Sequence, residues 1–78
     1  MSKNMTWEEL CEKAKEMNFY YWKSYKRWND ILLTDMGNFL HIAFMKDRSV
    51  HIVDEGNFTC LIRNRTYEQM YQIMEALR

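Results

Sequence analysis

Two histidines, two cysteines, two turn aspartates and a strip of rings laced with cations are the residues here whose types could do chemistry. His41 and His51 fall in neighbouring apolar runs. On adjacent strands, diagonal to each other, two imidazoles would stand ~7 to 8 Å apart and could span a metal. A structural zinc site wants four protein ligands, and the register derived below sends Cys60 to the other sheet face, so neither a metal nor a cofactor is expected. Cys11 and Cys60 have no C-x-x-C spacing and read as free thiols of a reducing compartment. Asp35 and Asp54 resemble a carboxylate pair, yet each opens a turn, where an Asp side chain accepts from nearby backbone amides. With no G-x-S-x-G, Cys-His pairing signature, P-loop or dinucleotide fingerprint, no catalytic residue is assigned and the chain reads as a non-enzyme.

The stretch from Tyr20 to Trp28 interleaves three cations with five rings and contains no acid. Trp22, Lys23, Tyr25, Lys26, Arg27 and Trp28 could stack single-stranded bases and meet phosphates. Two observations weigh against that use. Eleven basic residues balance eleven acidic ones, so no overall field steers the chain toward nucleic acid or an anionic membrane. Rings in a small domain also mostly fill the core or a sheet face.

These residues need elements to hold them. Thr6-Trp7-Glu8-Glu9 and Thr66-Tyr67-Glu68-Gln69 both read as capping boxes. After the first, Trp7, Leu10, Cys11, Ala14 and Met17 form one apolar stripe, ending near Asn18 as a left-handed cap. Met70, Ile73, Met74 and Leu77 form the stripe of a second helix that runs to the C-terminus. Between them D-x-G-N-F occurs twice, as Asp35-Met36-Gly37-Asn38-Phe39 and Asp54-Glu55-Gly56-Asn57-Phe58. A Gly ending a three-residue loop suits a type I turn closed by a left-handed residue, which reverses one antiparallel strand into the next.

The spacing predicts an antiparallel meander of strands over Ile31 to Thr34, Asn38 to Met45, Ser49 to Val53 and Asn57 to Arg63. Phe19 to Trp28 admits two readings: an extension of the first helix, or a fifth strand from Phe19 to Ser24, which its aromatic β-propensity and Asn18 favour. Three-residue loops place Leu32, Leu40, Ile42, Phe44, Val50, Ile52, Phe58, Cys60 and Ile62 on one face. Two helices on that face give a single α+β domain over 1–78, a two-layer sandwich with a flexible start over residues 1–5.

The opposite face would carry Ile31, Leu33, His41, Ala43, Met45, Ser49, His51, Val53, Thr59, Leu61 and Arg63. That is too apolar for a face meant only for water. Binding is therefore expected there, to a protein partner or to a second copy, through Ile31, Leu33, His41, Met45, His51, Val53 and Leu61. Of the seven methionines, Met17, Met70 and Met74 read as core filler, and Met36 and Met45 as adaptable surface. Lys3, Glu8, Glu9 and Glu12 interrupt any secretory pattern and no apolar run nears the ~20 residues of a membrane span, so a cytoplasmic location with no membrane partner is expected.

The closing run Asn64-Arg65-Thr66-Tyr67-Glu68-Gln69-Met70-Tyr71-Gln72-Ile73-Met74-Glu75-Ala76-Leu77 resembles the ending of short uncharacterised proteins of Gram-positive bacteria and their phages. The resemblance implies a bacterial or prophage origin, where small domains often act by binding a host protein or nucleic acid. It carries no activity with it.

Overall fold

A computed structural model describes residues 4–25, 28–35 and 40–77 of the chain. Helix α1 (Trp7–Glu16) opens on the capping box: Thr6 Oγ1 accepts from the Glu9 amide at 3.1 Å, and Glu9 Oε1 from the Thr6 amide at 3.1 Å. It closes on a Schellman motif. Asn18 takes φ 63, the Phe19 amide donates to the Ala14 carbonyl at 3.0 Å and the Asn18 amide to the Lys15 carbonyl at 3.2 Å. That turn aims the chain away from the helix axis, and Phe19 to Trp28 does not extend α1.

Five strands follow in an antiparallel meander with neighbours in chain order: β1 (Tyr20–Tyr25), β2 (Trp28–Asp35), β3 (Leu40–Met45), β4 (Val50–Asp54) and β5 (Asn57–Ile62). Helix α2 (Tyr67–Ala76) closes the fold, with Thr66 and Gln69 making the second capping box. This is the expected α+β arrangement, with the fifth strand in place. Residues 1–3 of the supposedly flexible start lie outside the described residues, and Met5 packs against the core instead.

The face under the helices holds Trp7, Leu10 and Ala14 of α1, Met70 and Met74 of α2, and Leu32, Phe44 and Val50 of the sheet, all buried. Each large apolar side chain buried this way contributes roughly 1.5–3 kcal/mol. Trp7 and Tyr67 join the helices with ring centroids 5.7 Å apart, and Phe19 packs on Phe44 at 5.8 Å. No helix among the described residues is long and apolar enough to cross a membrane.

The three loops behave differently. Between β3 and β4 the register is the expected one, with Phe44 facing Val50 and Ile42 facing Ile52. Without a glycine, Arg48 supplies the left-handed residue at φ 69, and Asp47 Oδ1 accepts from the Ser49 amide at 3.1 Å. Between β2 and β3, Leu32 faces Phe44 instead of the Leu40 that a loop over 35–37 would give. The offset is four positions, an even number, so every side chain keeps its face; residues 36–39 of that loop lie outside the described residues.

The third loop overturns the expected register. Glu55 and Gly56 both take positive φ, 50 and 84, and form a two-residue turn of the primed kind, so Asp54 pairs with Asn57. A shift of one position flips a strand. Phe58 therefore faces Val53 and Cys60 faces His51 on the surface away from the helices, while Thr59 faces Ile52. A bulge beside Leu61 then restores Ile62 to the helix side, opposite Val50.

Two substitutions test this packing. Phe44→Ala should lower unfolding free energy in urea by about 3–5 kcal/mol. Arg48→Gly should raise it by up to about 1 kcal/mol, since glycine relieves the left-handed penalty; a fall instead would show that the arginine side chain matters more than its backbone.

Candidate functional site

The sheet face away from the helices is not an open apolar surface. Ile31, Leu33, Ala43, Met45 and Val53 form a second buried cluster, each at most 5% exposed within the single chain, and Phe58 packs against it. Ile31, Leu33, Met45, His51 and Val53, five of the residues expected to meet a partner, are thus inside the domain. His41 is half-buried with Nδ1 3.1 Å from the Thr34 carbonyl oxygen, and Leu61 is exposed on the bulge of β5. Sequence reasoning missed Phe58 as a member of this cluster because its face depends on a two-residue turn where three were counted.

His51 is buried in that layer. Its Nε2 lies 2.9 Å from Ser49 Oγ, Ser49 Oγ donates to Asp47 Oδ1 at 2.5 Å, and its ring meets Phe58 edge to face at 6.2 Å. Although Asp, Ser and His stand in one line, the order is wrong for nucleophilic catalysis. The serine proton goes to the aspartate and not to the imidazole, so the hydroxyl is not activated, and Ser49 is only 2% exposed. This is a turn clasp. Cys60 joins His51 on this face, against the expectation, but its Sγ lies 3.6 Å from the Ile62 carbonyl oxygen. Among the described residues no three His, Cys, Asp or Glu side chains form a group that could hold a metal ion.

Exposure concentrates at β1. Tyr20, Tyr21 and Trp22 are 58%, 51% and 47% exposed, and Lys23 and Ser24 are exposed too. β1 is an edge strand, so its side chains meet solvent on both faces of the sheet. Tyr20 stands opposite Leu33 and Trp22 opposite Ile31 on the outer face, while Tyr21 stands opposite Leu32 on the helix side. Of the strip singled out in the sequence, Trp22 and Lys23 are therefore both exposed, on opposite faces of the edge strand. Tyr25 and Trp28 form the last backbone pair of β1 and β2, and Lys26 and Arg27 lie outside the described residues.

A cleft of about 400 Å³ runs between α1 and β1, lined by Cys11, Glu12, Lys15, Phe19, Tyr20, Tyr21 and Leu32. Tyr21 donates to Asp30 Oδ1 at 2.5 Å, and that bond pushes its phenol up to about 12. Burial, then the acids Glu8, Asp30 and Glu12, push the Cys11 thiol up to about 11 against the opposing pull of Lys46. The cleft is apolar in its floor and carries Glu12 and Lys15 on its α1 side, and the thiol in it stays protonated and unreactive.

Burial, helped by Arg63 and opposed by Asp47, holds His51 below the ordinary imidazole range. The unfolded chain therefore takes up a proton first, so stability is complete above about pH 6.5 and declines as pH falls through that value toward the lowered folded pKa. Thermal melts at pH 7.5 and 5.0 should show a fall in Tm that shrinks in His51→Gln; an equal fall in both would remove His51 as its source. Comparisons with protein-family models, curated proteins and solved structures find no match for this chain, so the reading of the site rests on its own geometry.

Proposed function

We propose that this chain is a small non-catalytic binding domain, acting in a bacterial or phage-infected cytoplasm, that engages a protein through its aromatic edge strand β1. One observation carries the reading: three large rings on consecutive positions of an edge strand are each about half exposed. Regular edge strands are where sheets accept further strands, and natural proteins blunt them when no partner is meant to come. Here β1 carries a single charge between Tyr20 and Ser24, at Lys23, and no proline. Five of the seven outer-face residues first expected to do this work are buried in the domain, and the apolar character of Ile31, Leu33, Met45 and Val53 is explained by that role.

Single-stranded nucleic acid is the second reading, and an exposed tryptophan and an exposed lysine on one short strand are what favour it. Asp30, bonded to the Tyr21 hydroxyl, opposes it, because phosphates would meet that carboxylate close to the stacking rings.

Salt separates the two. Fluorescence anisotropy of an oligothymidylate should stay flat at low ionic strength, and binding that weakens steeply with salt would transfer the assignment to nucleic acid. For the protein reading, immobilised wild-type chain and its Trp22→Lys variant are compared as baits in bacterial lysate, with Leu61→Lys as a control. A protein held by wild type and Leu61→Lys but lost from Trp22→Lys is the expected result. Identical retention by all three would rule out β1 as the docking element.

A further inference from the structure

The two edges of the sheet differ. β5 is broken by a register shift opposite Val50 and His51, and such a bulge twists an edge away from pairing. The pairing of β1 with β2 keeps one register from Tyr20 opposite Leu33 to Tyr25 opposite Trp28, with a local irregularity at Asp30, which takes φ 55. One edge is blunted and the other is left fit to receive a strand.

Resting on the reading of β1 as the docking strand, we propose that its occupant is a second copy of this chain, the two β1 strands pairing antiparallel about a two-fold axis at Trp22. An axis normal to the sheet keeps each side chain on its own face, so only positions of like parity can meet. Centred on Trp22, the tryptophans of the two copies meet each other. Tyr20 then lies opposite the small Ser24 of the second copy, which leaves room for its ring, and Tyr21 lies opposite that copy's Lys23.

The Tyr21 and Lys23 pairing is the telling one. It sets an ammonium over an exposed ring whose hydroxyl is bonded to Asp30, beside a cleft lined by Glu12 and Lys15. The cation meets ring and acids together, a match of the kind seen in cation–π pairs. By two-fold symmetry the match occurs twice. Centring on Tyr21 instead would leave Lys23 opposite Phe19, whose ring is turned inward onto Phe44. A strand with aromatic residues toward its start, beside acids, and a lysine two positions on is thus self-complementary when reversed against itself.

Pairing one short strand buries little area, so the dimer is expected to be weak, in the micromolar range. Light scattering coupled to size exclusion at about 100 µM should give twice the chain mass, persisting at high salt because ring burial dominates. Trp22→Lys should give a monomer with an unchanged far-ultraviolet circular dichroism spectrum. Should that variant misfold, Lys23→Glu, at an exposed position, should weaken the dimer by about tenfold or more through repulsion from Asp30 and Glu12.

Wild-type chain that is monomeric at this concentration overturns the second-copy occupant, and the lysate comparison then decides whether β1 docks another protein. A dimer left intact by both Trp22→Lys and Lys23→Glu overturns the occupant and the β1 reading together. Association that appears only when oligothymidylate is added would replace the second copy with nucleic acid.

Discussion

The left-handed turn at Asn18 is the constraint on which the rest of this structure depends. Two backbone bonds, from Phe19 to Ala14 and from Asn18 to Lys15, end α1 and redirect the chain before the aromatic run begins. Without them Tyr21, Tyr25 and Trp28 continue the helical stripe, and one long helix would carry the rings. With them Phe19 turns inward onto Phe44, and the chain enters β1 at the edge of the sheet. Asparagine suits this place because its short polar side chain tolerates the left-handed region that most residues avoid. The exposed rings and the cleft beside α1 both follow from that one residue's conformation.

A second constraint is size. A chain of 78 residues buries a smaller share of its surface than a larger domain does, and a single helix-covered layer would leave it marginal. This domain instead makes two apolar layers from one sheet, with Leu32, Phe44 and Val50 on one side and Ile31, Ala43, Met45 and Val53 on the other. Runs of successive residues, Ile31 to Leu33 and Ala43 to Met45, are therefore buried, which is why β2 reads as Ile-Leu-Leu and not as an alternation. The consequence for function is direct: apolar character at the sheet centre is spent on stability, and recognition is displaced to the edge.

Much of this was legible residue by residue. Both capping boxes, the Asn18 stop, the helix stripes and the register across Lys46-Asp47-Arg48 follow from local rules that need no knowledge of the whole. Where sequence reasoning failed, it failed by parity. Counting three loop residues at Asp54-Glu55-Gly56, where the chain uses two, moved Phe58 and Cys60 to the wrong face, because a single-position slip inverts a strand. The shift between β2 and β3 is larger yet did no such harm, since it spans an even number of positions. The outer face was also read as open apolar surface, whereas most of it is buried within the chain. Apolar residues at alternate positions say that a face is covered, but they are silent on what covers it.

What the sequence determined by itself was everything governed by neighbours within a few positions: where helices start and stop, where the chain reverses, and which residues alternate. Those interactions are short-ranged, and their signals are capping side chains, left-handed residues and apolar period. Only the tertiary structure decided that the outer layer closes within one chain, that Cys60 stands beside His51, and that Tyr20, Tyr21 and Trp22 stand exposed at the sheet edge. Burial is a property of the whole assembly of elements, because a ring is covered or left bare by residues distant in the chain, and no local pattern reports which.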